Sequence, residues 1–189
     1  MDGTPVRCGA SRATVNRSSL GEIAGYGHDT SHHAFYWGAK LMPVTTAEGT
    51  VTAFSLPHPK ELDERKQALH LLHMRPPAKG PCPIVCDTGF AGAGIEAATA
   101  RLGYRLIRPR RHDEPHPSPG RAFPAWLRQR IEAVIWTLKN QLGLERHHAR
   151  TADGLWARIS QRVVALNAAI WHNWLIGTPV KRSLIAYDH

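Results

Sequence analysis

Hydrophobic and polar positions divide the chain into a polar opening segment and a longer, patterned remainder. Residues 1–33 show no apolar periodicity, and we expect them to form loops. Two runs rich in β-branched and aromatic residues follow at 35–44 and 50–56, and a glycine-containing turn separates them. This pattern predicts an antiparallel β-hairpin.

Strand and helix patterns alternate after the hairpin. The predicted elements are a helix at 60–75, a strand at 83–86, a helix at 95–102, a strand at 104–107, and long helices at 124–142 and 154–175. The helices carry apolar side chains every three or four residues, whereas the strands are short apolar runs. A hairpin followed by strand, helix and strand predicts an α/β fold with one mixed sheet and packed helices.

Length and composition favour a single domain over residues 1–189. A hydrophobic fraction of 42% excludes a disordered chain. No apolar run reaches the roughly 20 residues that a bilayer span needs, so no membrane partner is expected. The three cysteines, and a start without an apolar leader, favour a cytoplasmic protein.

Positive charge is concentrated in one part of the chain. Residues 1–100 are neutral overall, whereas residues 101–150 carry eleven basic and four acidic side chains, most of the net charge of +9. Such a block is typical of a surface that binds a polyanion, and DNA is the expected partner. A solvated basic surface without a partner explains the charge equally well.

Three carboxylates stand where packing alone would not select them: Asp2, Asp87 and Glu132. Asp87 follows an apolar strand and precedes glycines, a place where carboxylates commonly face a ligand. Glu132 shares one predicted helix face with Arg128 and Lys139, because steps of four and seven residues return to nearly the same direction. An ordinary surface ion pair between Arg128 and Glu132 is the simpler interpretation.

The order of these motifs resembles a known family. The sequence has D-G-T-P-V from Asp2, V-C-D-T-G-F-A-G at 85–92, R-Q-R-I-E-A-V-I-W-T-L-K at 128–139, and W-H-N-W-L and A-Y-D-H near its end. It is similar to the DDE transposases of bacterial insertion sequences, in the branch with a Tyr-Arg-Glu-Lys signature. The resemblance covers nearly the whole chain and implies an RNase H-like mixed sheet.

The resemblance also implies metal-dependent cleavage and strand transfer of DNA at transposon ends. By motif match, Asp2, Asp87 and Glu132 are the catalytic residues and would bind two Mg²⁺ or Mn²⁺ ions. The implied partners are the transposon terminal repeats and the target DNA, with a homodimer as one expected assembly. The signature and the basic block together give the expected DNA-binding residues: Arg128, Lys139, Arg105, Arg108, Arg110 and Arg111.

Two positions depart from the family pattern. The signature tyrosine would stand three residues before Arg128, where this chain has Ala125. Asp2 stands directly after Met1, so the chain resembles an N-terminally truncated catalytic domain without its DNA-binding region. Because Pro5 cannot donate to a strand ladder, we expect a first strand of two to four residues or none. The alternative function is a catalytically inactive DNA-binding remnant that inhibits the full-length enzyme.

Other kinds of site fit the sequence less well. Residues 92–97 match a dinucleotide-binding G-x-G-x-x-A pattern, but the next strand ends in Arg108 rather than in an acidic residue. The histidines lack zinc-ligand spacing, so we expect packing or surface roles for them. Three tryptophans at helical spacing are expected to pack in the core: Trp136, Trp171 and Trp174.

Overall fold

The computed structural model describes residues 1–29, 33–60, 63–74, 81–114, 123–178 and 184. Most of the proline-containing segment 112–121, between the predicted strand at 104–107 and the predicted helix at 124–142, lies outside these residues. The elements are β1 (Thr4–Gly9), α1 (Arg12–Arg17), β2 (Gly25–Asp29), β3 (Ala34–Thr45), β4 (Val51–Ser55), α2 (Glu64–His73), β5 (Cys82–Val85), α3 (Ala93–Arg101), β6 (Tyr104–Ile107), α4 (Ala125–Trp136) and α5 (Ala152–Leu175). A short 3₁₀-helix at Thr88–Phe90 follows β5, and a π-helix at Thr137–Gln141 continues α4.

The twelve-residue strand β3 organises the larger sheet. β1 pairs along one edge of β3, while β2 and β4 pair with successive parts of the opposite edge, all antiparallel. The predicted hairpin is confirmed as β3 and β4. The expectation that residues 1–33 are loops is wrong, because β1, α1 and β2 lie within them.

The first strand is longer than the sequence suggested. β1 has six residues and includes Pro5, so the expectation of two to four residues or none is wrong. Pro5 lies opposite Lys40, whose N–H donates to the Pro57 carbonyl and so points away from β1. Pro5 therefore occupies a position of the ladder that needs no N–H from β1, and the strand continues through it.

β5 and β6 form a separate parallel sheet, so the predicted single mixed sheet is divided in two within the described residues. The outer edge of β1 explains the division. Gly3 N–H donates to Asp2 Oδ1, Pro5 has no N–H, and the Arg7 carbonyl accepts from His147 Nε2. The backbone N–H and C=O groups of these alternate residues point away from β3. Most of them are absent or already bonded, so little of this edge of β1 is free to pair with β5.

The helices bury the larger sheet on one side. Val134, Leu138, Ile159 and Leu166, from α4, the π-helix and α5, are 0% exposed and pack in one cluster with Val6 and other sheet residues. A second cluster joins β3, α2, β5, α3 and β6. Both long helices predicted from apolar periodicity are confirmed, and in the described part no helix is long and apolar enough to cross a bilayer.

The three tryptophans do not pack in the core, contrary to expectation. Trp136, Trp171 and Trp174 are all more than half exposed. They lie on the outer side of α4 and α5, whose inner side is filled by aliphatic residues. Helical spacing alone therefore did not identify which face of each helix is buried.

Candidate active site

A cavity of about 230 Å³ lies where the start of β1, the end of β3, β5 and α4 meet. Most of its lining is aliphatic, from residues such as Val44, Ile84 and Ile131. Its charged side chains are Asp2, Asp87 and Arg128. Three residues that the sequence singled out, separated by up to 126 positions in the chain, therefore line one cavity.

A hydrogen bond joins the two sheets at this cavity. The Met1 ammonium donates to the Val85 carbonyl at 2.8 Å, and Met1 is buried. Burial lowers the pKa of the ammonium, while the nearby carboxylates of Asp2 and Asp87 oppose that shift. The bond fixes the start of β1 against the end of β5, and this brings Asp2 next to the loop that carries Asp87.

Asp2 lies in an electrostatically unfavourable place for a carboxylate. Burial raises its pKa, the hydrogen bond from Gly3 N–H lowers it, and the charge of Asp87 raises it further. The Met1 ammonium and Arg128 have smaller lowering effects. A cation placed between Asp2 and Asp87 would offset both the burial of charge and the repulsion between the two carboxylates.

Asp87 stands two residues after β5, at the turn into the 3₁₀-helix. Its Oδ1 accepts the Gly89 N–H at 2.9 Å, which caps that helix and fixes the side chain. Arg65, on α2, donates from Nε to the Gly89 carbonyl at 2.9 Å. The turn thus holds one carboxylate in place and brings a guanidinium close to it.

Glu132 lies on α4, as predicted, and pairs with Arg128 one turn away. Glu132 Oε1 is 3.1 Å from Arg128 Nε, and the two side chains are 53% and 56% exposed. Arg128 lines the cavity and acts on Asp2, whereas Glu132 does not line it. Arg128 therefore connects the acidic pair at the cavity with the third predicted carboxylate.

The three predicted carboxylates are not yet assembled into one ligand set. Among the described residues, no group of three His, Cys, Asp or Glu side chains is close enough to hold one metal ion. Asp2 and Asp87 come together, while Glu132 is held by Arg128. The oxygen donors that do converge are hard ligands of the kind that suits Mg²⁺ or Mn²⁺.

Lys139 lies about three turns after Arg128, in the π-helix that continues α4. That it shares a helix face with Arg128 and Glu132 stays a prediction. Its Nζ is 3.6 Å from Glu145 Oε1, which Arg7 Nε also approaches at 3.8 Å. Lys139 is also about 16 Å from Arg128 along the helix axis.

The basic segment after β6 is only partly available to a ligand. Arg108 binds both carboxylate oxygens of Glu114, at 2.7 and 2.8 Å, and reaches Glu96 at 3.3 Å. This arrangement lowers the pKa of Glu114 to about 2 and neutralises Arg108. Arg110 donates a hydrogen bond to the Glu114 carbonyl. The side chains of Arg105, Arg110 and Arg111 are all exposed.

An ion pair next to Asp2 was not foreseen from the sequence. Lys40, on β3, pairs with Glu64, at the start of α2. A Cβ added to Gly3 would lie only 2.7 Å from Lys40 Cε, so this pair sits directly over the residue that follows Asp2. The only sequence signal was the acidic start of α2 behind its Asp63 cap, which is equally typical of ordinary helix capping.

Comparison with known families decides the assignment. The family model described as "Transposase DDE domain" matches residues 1–168. The chain belongs to the transposase DDE domain family. The match contains all three predicted carboxylates of this transposase domain: Asp2 just before β1, Asp87 just after β5, and Glu132 in α4. No curated protein and no solved structure matched the chain.

Membership makes this domain a transposase domain with a mixed α/β architecture, and it implies DNA as the partner. Divalent metals are generally used by transposases of this family. The carboxylate pair at the cavity offers the oxygen ligands such ions require, and the neighbouring guanidinium of Arg128 offers a group that binds phosphate.

Proposed function

We propose that this domain cleaves DNA at transposon ends and transfers the strand, using Asp2, Asp87 and Glu132 as metal ligands. The observation that carries the proposal is the proximity of Asp2 and Asp87, which comes with a mutual electrostatic penalty. Proteins rarely place two carboxylates together without a cation or a proton between them. The proposal includes an RNase H-like arrangement and the Tyr-Arg-Glu-Lys branch.

The proposed reaction uses the carboxylates as metal ligands and the arginine as a phosphate-binding group. Asp2 and Asp87 present oxygens to a divalent ion, and Glu132 completes the set when its side chain turns from Arg128 towards the cavity. Two divalent ions held by these carboxylates would supply activation of the attacking water or 3′-hydroxyl and stabilisation of the leaving oxygen. The released guanidinium of Arg128 binds a non-bridging phosphate oxygen of the DNA strand.

Neighbouring residues keep these groups in position. The Met1–Val85 hydrogen bond and the Asp87 cap fix the two aspartates before any metal arrives. The Lys40–Glu64 pair holds the backbone at Gly3, and we assign these two residues a positioning role. Ala125 stands in place of the signature tyrosine, so we expect one of the family's interactions with the DNA end to be missing, whereas the three carboxylates are present.

The test is nicking of a supercoiled plasmid that carries the element's own terminal repeats, with Mg²⁺ or Mn²⁺. We expect cleavage by the wild type and at least a hundredfold loss in Asp87→Asn and Glu132→Gln, because each substitution removes an anionic ligand. DNA affinity should be unchanged or slightly raised. Glu22→Gln, an exposed carboxylate outside the cavity, is the matched control and should cleave normally.

A second candidate is a DNA-binding protein without catalytic activity. It is favoured by the separation of Glu132 from the other two carboxylates in the described structure. Specific binding of the terminal repeats without metal-dependent nicking would support this inhibitor-like function. Equal nicking by the wild type and Asp87→Asn would contradict the proposed active site.

A further inference from the structure

A second, larger groove lies at the opposite end of β1. It has a volume of about 680 Å³ and is formed by the end of β1, α1, β2, β3 and the loop at 145–149. Two aromatic side chains project into solvent there: Phe35 is 81% exposed and Tyr26 is 53% exposed. Such exposure is unusual for large aromatic side chains and needs an explanation beyond packing.

Strand pairing builds these aromatics into one platform. Tyr26 pairs with Trp37, and His28 pairs with Phe35, in the antiparallel ladder of β2 and β3. Side chains two residues apart on a strand lie on the same face, so all four rings share one face of the sheet. The rings of His28 and Phe35 are 4.9 Å apart in an edge-to-face arrangement, and Trp37 is buried beneath. The strand ladder and the buried Trp37 therefore anchor the exposed rings of the platform.

The groove around the platform is positively charged. Arg7, Arg12 and Arg146 line it, against one carboxylate, Glu145. Glu145 already pairs with both Arg7 and Lys139. Arg12 and Arg146 are exposed, and within the described residues neither forms an ion pair with a carboxylate. Cations beside exposed rings can bind phosphates while the rings stack with unpaired bases.

We propose that this groove binds a single-stranded stretch of DNA, with bases stacked on Phe35 and Tyr26 and phosphates bound by the arginines. The inference rests on the proposed function in one respect, namely that the strand belongs to the DNA handled at the acidic cavity. The extended chain between Asp2 and Arg7, which includes most of β1, spans about 17 Å. This distance corresponds to about five base pairs of duplex DNA. α4 and the π-helix run between the two places, so one DNA molecule can reach both.

Direct binding of a single strand tests the groove. The probe is a fluorescein-labelled oligodeoxythymidine of about twelve nucleotides, within the usual range of site sizes, and the readout is fluorescence anisotropy without metal. Phe35→Ala should weaken binding roughly 5- to 100-fold, as expected when one stacked base loses its partner. Arg12→Ala with Arg146→Ala should also weaken binding and reduce its dependence on salt.

Two matched variants outside the groove serve as controls. Trp171→Ala, near the end of α5, removes an aromatic side chain with 61% exposure, and Arg101→Ala, at the end of α3, removes an exposed cation; neither residue lines the groove. Neither should change the affinity. On irradiation, a strand that contains iodouracil should crosslink to the peptide that contains Phe35 or Tyr26.

Three results would overturn the proposal: equal affinity of Phe35→Ala and wild type, crosslinks outside the groove, or equally tight Phe35-dependent binding of polyglutamate. The last would assign the groove to an acidic protein partner. The proposed function fails separately, if Asp87→Asn nicks as well as the wild type. Asp87→Asn should bind the single strand normally, so the two proposals are distinguishable.

Discussion

At the scale of single residues, Asp2 shows most clearly how local chemistry points to function. Its carboxylate is held between Gly3 N–H, the Met1 ammonium, Asp87 and Arg128. Burial and Asp87 together disfavour its charged form, and the hydrogen bond and the cations only partly compensate. A charge kept in such surroundings costs stability, and a bound divalent ion would reverse that cost.

Replacement of Asp2 tests whether its buried carboxylate lowers the stability of the metal-free protein. Without divalent ions, Asp2→Asn should raise the melting temperature, by about 2–4 °C for each kcal/mol of repulsion removed. Added Mg²⁺ or Mn²⁺ should raise the melting temperature of the wild type and leave that of Asp2→Asn unchanged. Thermal unfolding followed by circular dichroism gives both values, with Glu22→Gln as the control that behaves like wild type. A wild-type melting temperature that does not respond to either metal would contradict the account.

At the scale of elements, the loop after the π-helix is fixed to β1 by one buried histidine. His147 Nε2 donates to the Arg7 carbonyl at 3.2 Å, and His147 Nδ1 accepts the Ala149 N–H at 3.0 Å. Both ring nitrogens are used only if the imidazole is neutral. Burial lowers the pKa of His147, and the nearby Arg162 and His148 add to the effect.

Stability should therefore fall as acid is added. A histidine whose pKa is lowered on folding stabilises the fold fully above its unfolded pKa of about 6.5, and this contribution is lost as the pH falls towards the lower folded value. Urea midpoints at about pH 7.5 and about pH 5.5 measure the change. The decrease should be smaller in His147→Gln than in the wild type, whereas His148→Asn, at an exposed position, should keep it. An equal decrease in wild type and His147→Gln would show that other groups cause the pH dependence.

The elements also show what the sequence could and could not reveal. α4, α5 and the β3–β4 hairpin were predictable because long apolar periodicity and a glycine turn are local signals. β1 was missed because its six residues are few and include a proline, and its place depends on pairing with β3, more than thirty residues away. The π-helix that continues α4, with Leu138 fully buried in the core, has no local signal in the sequence that distinguishes it from an α-helix.

At the scale of the whole molecule, charge is arranged differently from its distribution along the chain. The basic block of residues 101–150 predicted a DNA surface, yet Arg108, Arg128 and Lys139 each pair with a carboxylate. Sequence could not show this, because partners such as Glu96 reach the block only through folding. Asp2 and Asp87 were identified from motifs alone, but their proximity depends on the contact between Met1 and the end of β5.

The salt dependence of duplex DNA binding tests which cations are available. The log–log slope should decrease by about 0.9 for every phosphate that a variant no longer binds. Arg110→Ala with Arg111→Ala should therefore flatten the slope by up to about two units, because these side chains are exposed. Arg108→Gln is the control and should leave the slope nearly unchanged, since Glu114 and Glu96 already neutralise that guanidinium. A larger change of slope in Arg108→Gln than in the double variant would mean that DNA binding breaks the Arg108–Glu114 pair and frees that guanidinium.

We propose that Asp2 and Asp87 share a divalent ion at the cavity between the start of β1 and the end of β5. Crystals of the protein grown with Mn²⁺ test it most directly, through anomalous scattering recorded at the manganese absorption edge. We expect a strong peak within bonding distance of carboxylate oxygens from both Asp2 and Asp87, with Glu132 turned from Arg128 towards it. A peak only at other carboxylates, or no peak at this pair at saturating Mn²⁺, would show that Asp2 and Asp87 do not form the metal site.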